Sequence, residues 1–398
     1  MTTSRQLKLA GLLTEVEIKF SINLPLEIET IHSAFKRAGY KIWIVGGAVR
    51  DALLNKTPKD FDIVTDAEPK VVMALLKKSG IKSVPIGEQF GVVAAVINGE
   101  MFEIATFRSE KGYSDGRRPD KVTFTDMSSD ALRRDLTVNS LYYDIDKKII
   151  IDLVGGIEDL KNKKIKTVGN PMQRFEEDRL RVLRVLRFSH RLGSKLDEDT
   201  IKAILNFKDL PGVSAERIRA EFLSGLKSAI NPEEYLKDYQ RLKLFPRVFP
   251  GSIINTNFIR GLRDPILVIA NMLSLNLIEK ALSTLKLFKA QKKEIPNIKF
   301  LLEIKNKFEN FSKVDFNLLN DGKWLLALKK SLNETNSNLS EEQIIEWSKI
   351  NKINIELIKK FINFQPFFTA KDFPELPPSK ELGDKLTIEN AKIFINSL

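Results

Sequence analysis

The 398-residue chain has no cysteine and only two histidines, His32 and His190. These absences exclude disulfides, thiolate metal sites, a cysteine nucleophile and a multi-histidine metal centre such as an appended HD-type phosphohydrolase domain. Any metal must therefore be held by oxygen, and a reducing compartment is compatible with the composition. No uninterrupted apolar run approaches the roughly 18 residues that a membrane span requires. Glu15 and Glu17 sit early in the chain without a small-residue cleavage pattern, so neither a secretory signal nor a transit peptide is read, and a cytoplasmic location is the expectation.

What the chain does have is positive charge: 64 Lys and Arg against 52 Asp and Glu, a net charge of +12. That excess favours a polyanionic partner, because Lys and Arg that neutralise phosphates gain affinity by releasing counterions. The length suits two or three domains, each large enough to bury a core without covalent staples.

The first third alternates helix and strand signals, and after about residue 165 the pattern reads as helices with no strand pair. Apolar residues recur at helical spacing over 26–40, and a short β-rich run over 41–45 is closed by Gly46 and Gly47. Two β-type runs, 92–97 and 101–107, flank Asn98-Gly99, a dipeptide that tolerates positive φ at both turn positions and so signals a hairpin. A second hairpin is expected around 146–148, between 141–144 and 149–152. Together these predict an α+β fold: a small mixed sheet with helices on one side, succeeded by an all-α remainder. One long amphipathic helix is expected from 171 to about 192, ended by Gly193. Later breaks fall near Pro211-Gly212, Pro246, Pro296 and Asp321-Gly322.

Asp60 and Asp62 stand two apart in the strand-like run 60–64, so both carboxylates project from one face, roughly 6.6 Å apart at ~3.3 Å rise per residue. Such a pair suits two Mg²⁺ ions, with Mn²⁺ as an alternative, one activating a hydroxyl and the other stabilising a leaving pyrophosphate. Just upstream, Gly46, Gly47 and Arg50 form a glycine turn opening a helix. There backbone N–H groups can approach a triphosphate and Arg50 can add a forked contact. Glu103 alternates with Ala105 and Phe107 on the second hairpin strand and is a candidate third acidic residue.

This stretch resembles motif A of the polymerase-β-type nucleotidyltransferases, in the version shared by class II CCA-adding enzymes and bacterial poly(A) polymerases. Four further motifs of that family come after it in order. Residues 133–140, Arg-Arg-Asp-Leu-Thr-Val-Asn-Ser, resemble motif B, which implies that Arg134, Asp135 and Asn139 read ribose and triphosphate. Residues 152–160 resemble the hinge motif C, 177–181 the E-D-x-x-R of motif D, and 216–219 motif E. The resemblance covers about residues 40–225, gives Glu103 an acidic family position, and assigns Glu177, Asp178, Arg181, Arg184 and Arg187 to nucleotide binding. Asp178 and Arg181, three apart on one expected helix, can accept from an exocyclic amine and donate to a ring nitrogen. Cytosine and adenine both present that pattern, whereas uracil and guanine would leave buried polar groups unpaired at about 1–3 kcal/mol each.

The resemblance implies a seahorse-like arrangement: an N-terminal extension (1–25), a polymerase-β-like nucleotidyltransferase head (26–165), a nucleotide-reading helical neck (166–230), a helical body (231–320) and a tRNA-binding helical tail (321–398). It implies template-independent addition of C and A to the 3′ end of tRNA from CTP and ATP, with no membrane partner and an oligomeric state that the sequence leaves open. The segment 85–93 is similar to the CCA-adding version of its strand, and 113–130 to an intact flexible loop. By contrast, Ser140-Leu141-Tyr142-Tyr143 is closer to poly(A) polymerases, so an A-only transferase is the alternative reading, and an inactive RNA-binding relative a further one.

Overall fold

The computed structural model describes residues 13–113, 116, 118–334, 339–376 and 378–398. The chain divides into two compact units, 1–230 and 231–398.

The first unit is built on an eight-stranded sheet in the order β1-β10-β9-β2-β3-β6-β5-β4. Its strands are β1 (Val16–Lys19), β2 (Ile42–Val45), β3 (Asp62–Thr65), β4 (Lys82–Gly87), β5 (Val92–Ile97), β6 (Glu100–Thr106), β9 (Leu141–Asp144) and β10 (Ile149–Asp152). Only β3 and β6 run parallel; the other neighbours are antiparallel. A separate hairpin joins β7 (Arg108–Lys111) to β8 (Lys121–Phe124), and β11 (Lys164–Ile165) pairs in parallel with β12 (Lys195–Leu196).

Alternation along each strand separates two apolar layers. On one face Ile42, Ile44, Ile63, Ile104, Tyr143 and Ile150 pack with helices α1 (Leu26–Arg37) and α3 (Pro69–Lys78) through Ile31, Phe35, Val72 and Leu76. Helix α2 (Gly47–Leu53) joins that layer through Ala48 and Val49. On the other face Trp43, Val45, Val64, Phe107, Tyr142 and Ile151 gather with Ala131 of α4 (Met127–Arg133). Both expected hairpins are present, and Asn98 and Gly99 take φ of 53° and 83° as the turn requires. The sheet is larger than the pattern suggested, and the expectation of helices on one side needs correcting, since α4 lies on the second face. Strand β1 also makes residues 16–19, placed in an extension by sequence, an edge of the sheet.

Beyond α5 (Gly156–Lys161) the unit continues through α6 (Pro171–Glu177), α7 (Arg181–Leu192), α8 (Glu198–Phe207) and α9 (Ala215–Ser228). The single helix expected over 171–192 is two helices. Asp178 leaves α6 in an extended conformation, and its carboxylate accepts from the Leu180 N–H at 3.0 Å, a local bond that competes with helix continuation. Gly193 ends α7 in the left-handed region, as expected.

The second unit is helical from α10 (Pro232–Arg241) to α18 (Lys380–Ser397), and its core is aromatic. Phe308 lies 5.4 Å from Trp324 and 5.3 Å from Phe361, and Phe394 lies 5.4 Å from Phe364, measured between ring centres. No helix among the described residues is long and apolar enough to cross a membrane.

Asp152 explains how the sheet is joined to α5. Its buried carboxylate accepts the N–H groups of Val154, Gly155, Gly156 and Ile157 at 2.8–3.1 Å, capping the helix and holding Gly156 against the turn at Thr137. A Cβ at Gly156 would overlap the Thr137 carbonyl. Gly156→Ala is therefore expected to destabilise the first unit by on the order of 2–3 kcal/mol, read as a lower urea midpoint at unchanged slope.

Candidate active site

Strand β2 delivers the chain into a turn that only glycine enters easily: Gly46 has φ 76° and ψ −122°, and its N–H donates to the Leu141 carbonyl at 3.0 Å. A side chain there would stand 3.4 Å from the Asn139 carbonyl oxygen and 4.0 Å from Arg134 Nη1. Gly46 is buried, its carbonyl accepting from the Arg50 N–H at 3.1 Å, and the half-buried Gly47 beside it begins α2.

Register then brings the acidic residues beside this turn. Tyr142 pairs with Val45 and Val45 with Asp62. Glu103 is the residue before Ile104, the partner of Ile63 on the parallel neighbour, so it lies next to Asp62. These four residues form one cross-strand row on the second face of the sheet. Asp60 precedes β3 rather than lying in it. Phe61 between them turns into the opposite core while Asp60 and Asp62 stay exposed.

The electrostatics agree with that proximity. Protein atoms around the carboxyl desolvate Asp62 and raise it above its ordinary value although the residue keeps exposed surface; Arg134 opposes this, and Asp60 adds to it. Glu103 is raised by burial and then by Asp62. Like charges gathered in this way are relieved by a cation. Among the described residues no group of three acidic or imidazole side chains is placed to hold a metal ion. The oxygens of Asp60 and Asp62 are of the hard type that could hold a divalent cation such as Mg²⁺.

Arg134 is held from behind. Asp130, fully buried on α4, accepts from Arg134 Nε at 3.1 Å and Nη2 at 2.9 Å, and also from Arg133 and the Tyr142 hydroxyl. Asp135 pairs with Arg184 on α7 at 2.6 Å, and Glu221 on α9 pairs with Arg187 at 2.6 Å. Phe188 lies among Arg50, Arg184, Arg187 and Arg191, whose guanidinium carbons are 4.4–6.0 Å from its ring centre.

Two expectations change here. Arg50 is 1% exposed, and its guanidinium donates to Asp51 at 2.7 and 2.9 Å and to the Asn139 side chain. It ties the glycine turn to residue 139 as a buried strut and presents no fork to open space. Asn139 is likewise buried, its oxygen occupied by Arg50. The second change concerns Asp178 and Arg181, which do not share a helix. Asp178 pairs with Arg217 at 2.8 Å, while Arg181 pairs with Glu177 at 2.6 Å and donates to the carbonyls of Arg174 and Arg133 at 3.1 Å.

Sequence reasoning passed over Asp130, Glu221, Glu110 and Tyr142. Glu110 accepts from Arg108 at 2.8 Å, Arg133 at 3.2 Å and Tyr113 at 2.6 Å. Asp130 carried one signal, since a carboxylate three and four residues before Arg133-Arg134 on a helix faces both. Of the loop read over 113–130, Ser114, Asp115 and Arg117 lie outside the described residues, while the rest includes β8 and the start of α4.

Residues 42–166 match the family described as Poly A polymerase head domain, a span that holds the glycine turn, both aspartates and Arg134. This part of the chain is similar to that family. The chain is 42% identical over 213 residues to the CCA-adding enzyme of Enterococcus faecalis, covering 50% of this chain and 51% of that protein. It is 45% identical over 197 residues to the CCA-adding enzyme of Lactobacillus helveticus, covering 49% and 47%. The chain thus spans about half the length of the curated relatives it matches. The crystal structure of the Bacillus stearothermophilus CCA-adding enzyme in complex with CTP shares the fold over 94% of both chains, with a TM-score of 0.65 and 24% identity.

The carboxylates that hold the arginines of the first unit should govern acid stability. Burial pushes Asp135 up, but Arg184, through its charge and hydrogen bonds, together with Arg181 brings it down to about 2, from 3.8. A depressed carboxylate contributes stability that is complete above its unfolded value and disappears as pH falls towards its folded one. Stability of the first unit should fall between about pH 4 and pH 2, and Asp135→Asn should lessen that fall by on the order of 2 kcal/mol in urea titrations across the range.

Proposed function

We propose that this chain adds C and A nucleotides to the 3′ end of tRNA, drawing on CTP and ATP and releasing pyrophosphate. The observation that carries the proposal is the cross-strand row that sets Asp62 one strand from Val45 and the glycine turn after it, with Arg134 Nη1 beside that turn. The similarity of the matched half to CCA-adding enzymes supports the same reading.

In this mechanism the triphosphate of CTP or ATP lies along Gly46 and Gly47, where no side chain intrudes, with Arg134 facing its negative charge. Asp60 and Asp62 hold Mg²⁺, for which Mn²⁺ can substitute. When bound, the cation supplies neutralisation of charge on the reacting phosphate and the departing pyrophosphate. Glu103, beside Asp62, keeps the acidic edge of the site. The RNA 3′-hydroxyl attacks the α-phosphate in line. Asp135, Asn139, Arg50 and Glu177 act by fixing the positions of Arg184, the glycine turn and Arg181, while Arg187 belongs to the same paired face. Asp178, held by Arg217, and Arg181, held by Glu177, read the amine-and-acceptor edge shared by cytosine and adenine, the role that the resemblance of residues 177–181 to motif D implies.

Residues 166–230 serve as the base-reading neck and 231–398 as a body and tail that grip tRNA mainly through phosphates, since one enzyme must serve every tRNA. The absence of cysteine and the RNA substrate suit a cytoplasmic setting.

A second reading, transfer of A alone, is favoured by Ser140-Leu141-Tyr142-Tyr143 and by the description of the head-domain family. Purified protein incubated with tRNA lacking its CCA end, and with labelled CTP or ATP separately, distinguishes the two. Incorporation of CTP into that substrate is expected, lost at least about 10³-fold in Asp62→Ala if metal-held charge stabilisation is removed. Tailing by ATP that never requires CTP would replace the primary reading with the second. Asp178→Ala should lower discrimination of C and A against U and G about tenfold while changing tRNA affinity less, measured by competing-nucleotide incorporation and by filter binding. Unchanged discrimination would remove Asp178 from base reading.

A further inference from the structure

We infer that Asp130 is a positioning residue for the nucleotide: it grips one edge of Arg134 and so aims the other edge, Nη1, towards the glycine turn at Gly46. This rests on the nucleotidyltransferase reading and assigns to Asp130 a role within it.

Asp130 lies on α4 with no exposed surface, and its two oxygens have different partners. Oδ1 accepts from Arg133 Nε at 2.9 Å and Nη2 at 2.6 Å. Oδ2 accepts from Arg134 Nε at 3.1 Å, Arg134 Nη2 at 2.9 Å and the Tyr142 hydroxyl at 2.9 Å. A carboxylate offers about four lone-pair sites, so these donors saturate it. The Tyr142 oxygen in turn accepts from Arg134 Nε at 3.1 Å, and the Arg134 guanidinium carbon lies 5.3 Å from the Tyr142 ring centre. Two of the three guanidinium nitrogens are thereby engaged on the Asp130 side, and the third is the one found 4.0 Å from where a Gly46 side chain would begin.

The arrangement is directional. A guanidinium is a rigid plane, so fixing its Nε and Nη2 edge fixes where Nη1 points. Tyr142 also stands in the row Tyr142, Val45, Asp62, so the anchor of Arg134 is keyed to the strand that begins at Asp62. Arg133 turns the other way, to Glu110 at 3.2 Å and the Arg108 carbonyl at 3.2 Å, and buttresses Asp130 from outside the site. A purely structural carboxylate would need neither the neighbouring arginine's free edge nor its alignment with the glycine turn.

The test is a double-mutant cycle on the full chain, with CTP and ATP dissociation constants measured by calorimetry, tRNA affinity by filter binding and folding by thermal melting. Asp130→Asn is expected to weaken CTP and ATP alike by about tenfold, with tRNA affinity unchanged. Arg134→Ala should weaken them at least as much, and the double variant no more than Arg134→Ala alone, because Asp130 acts through Arg134. Effects that multiply in the double variant, or nucleotide affinity unchanged in a folded Asp130→Asn protein, overturn the proposal. Should Asp130→Asn fail to fold, Tyr142→Phe removes one bond of the same anchor; about threefold weaker nucleotide binding, absorbed when Arg134 is already alanine, supports it, and an unchanged or multiplicative result overturns it. Wild-type protein that binds neither nucleotide overturns the nucleotidyltransferase reading and this role with it, whereas wild-type binding with multiplicative effects overturns this role alone.

Discussion

The antiparallel register of β9, β2 and β3 is the constraint on which the site depends. Tyr142, Val45 and Asp62 stand opposite one another, and the side-chain period of a strand is two. A slip of one residue in β3 would turn Asp62 into the core occupied by Ile63 and bring Ile63 out beside Arg134. The slip is prevented because both faces of β2 are covered by packed apolar layers: Ile42 and Ile44 in one, Trp43 and Val45 in the other. The register of the acidic pair is therefore enforced by residues that touch no ligand.

Around this sheet the first unit uses its arginines mostly on itself. Arg50, Arg133, Arg174, Arg181, Arg184, Arg187 and Arg217 each meet a carboxylate, respectively Asp51, Asp130, Glu177, Glu177, Asp135, Glu221 and Asp178. Most of these pairs are half-buried or better. A partner removed from such a pair leaves a charge without solvent or counter-charge, which costs more than the pair itself contributes. The positive excess of the chain therefore does not translate residue by residue into contacts with a polyanion. In the second unit the packing is of a different kind, since rings such as Phe308, Trp324 and Phe361 supply large buried areas with few polar partners.

Much of the head was legible in the chain. The Asn98-Gly99 hairpin could be read because only a narrow set of residues accepts positive φ at both turn positions. The hairpin over 141–152 showed as two β-rich runs around a polar turn and is present as β9 and β10. Strands β1, β4, β7 and β8 were not legible. They are short or edge strands whose residues are partly exposed, so no strong period of two marks them.

The sequence by itself determined the residue types and local turns of the candidate site: Asp60 and Asp62 two apart, glycine at 46 and 47, and an arginine at 134. The first two of these depend on spacing and backbone freedom, which are local properties. The tertiary structure alone decided where each charged group points. Arg50 is buried against Asn139, 89 residues away, and Asp178 meets Arg217, 39 residues away. Such pairings arise when distant elements pack and buried charges must find partners in low dielectric, a demand that no local pattern records.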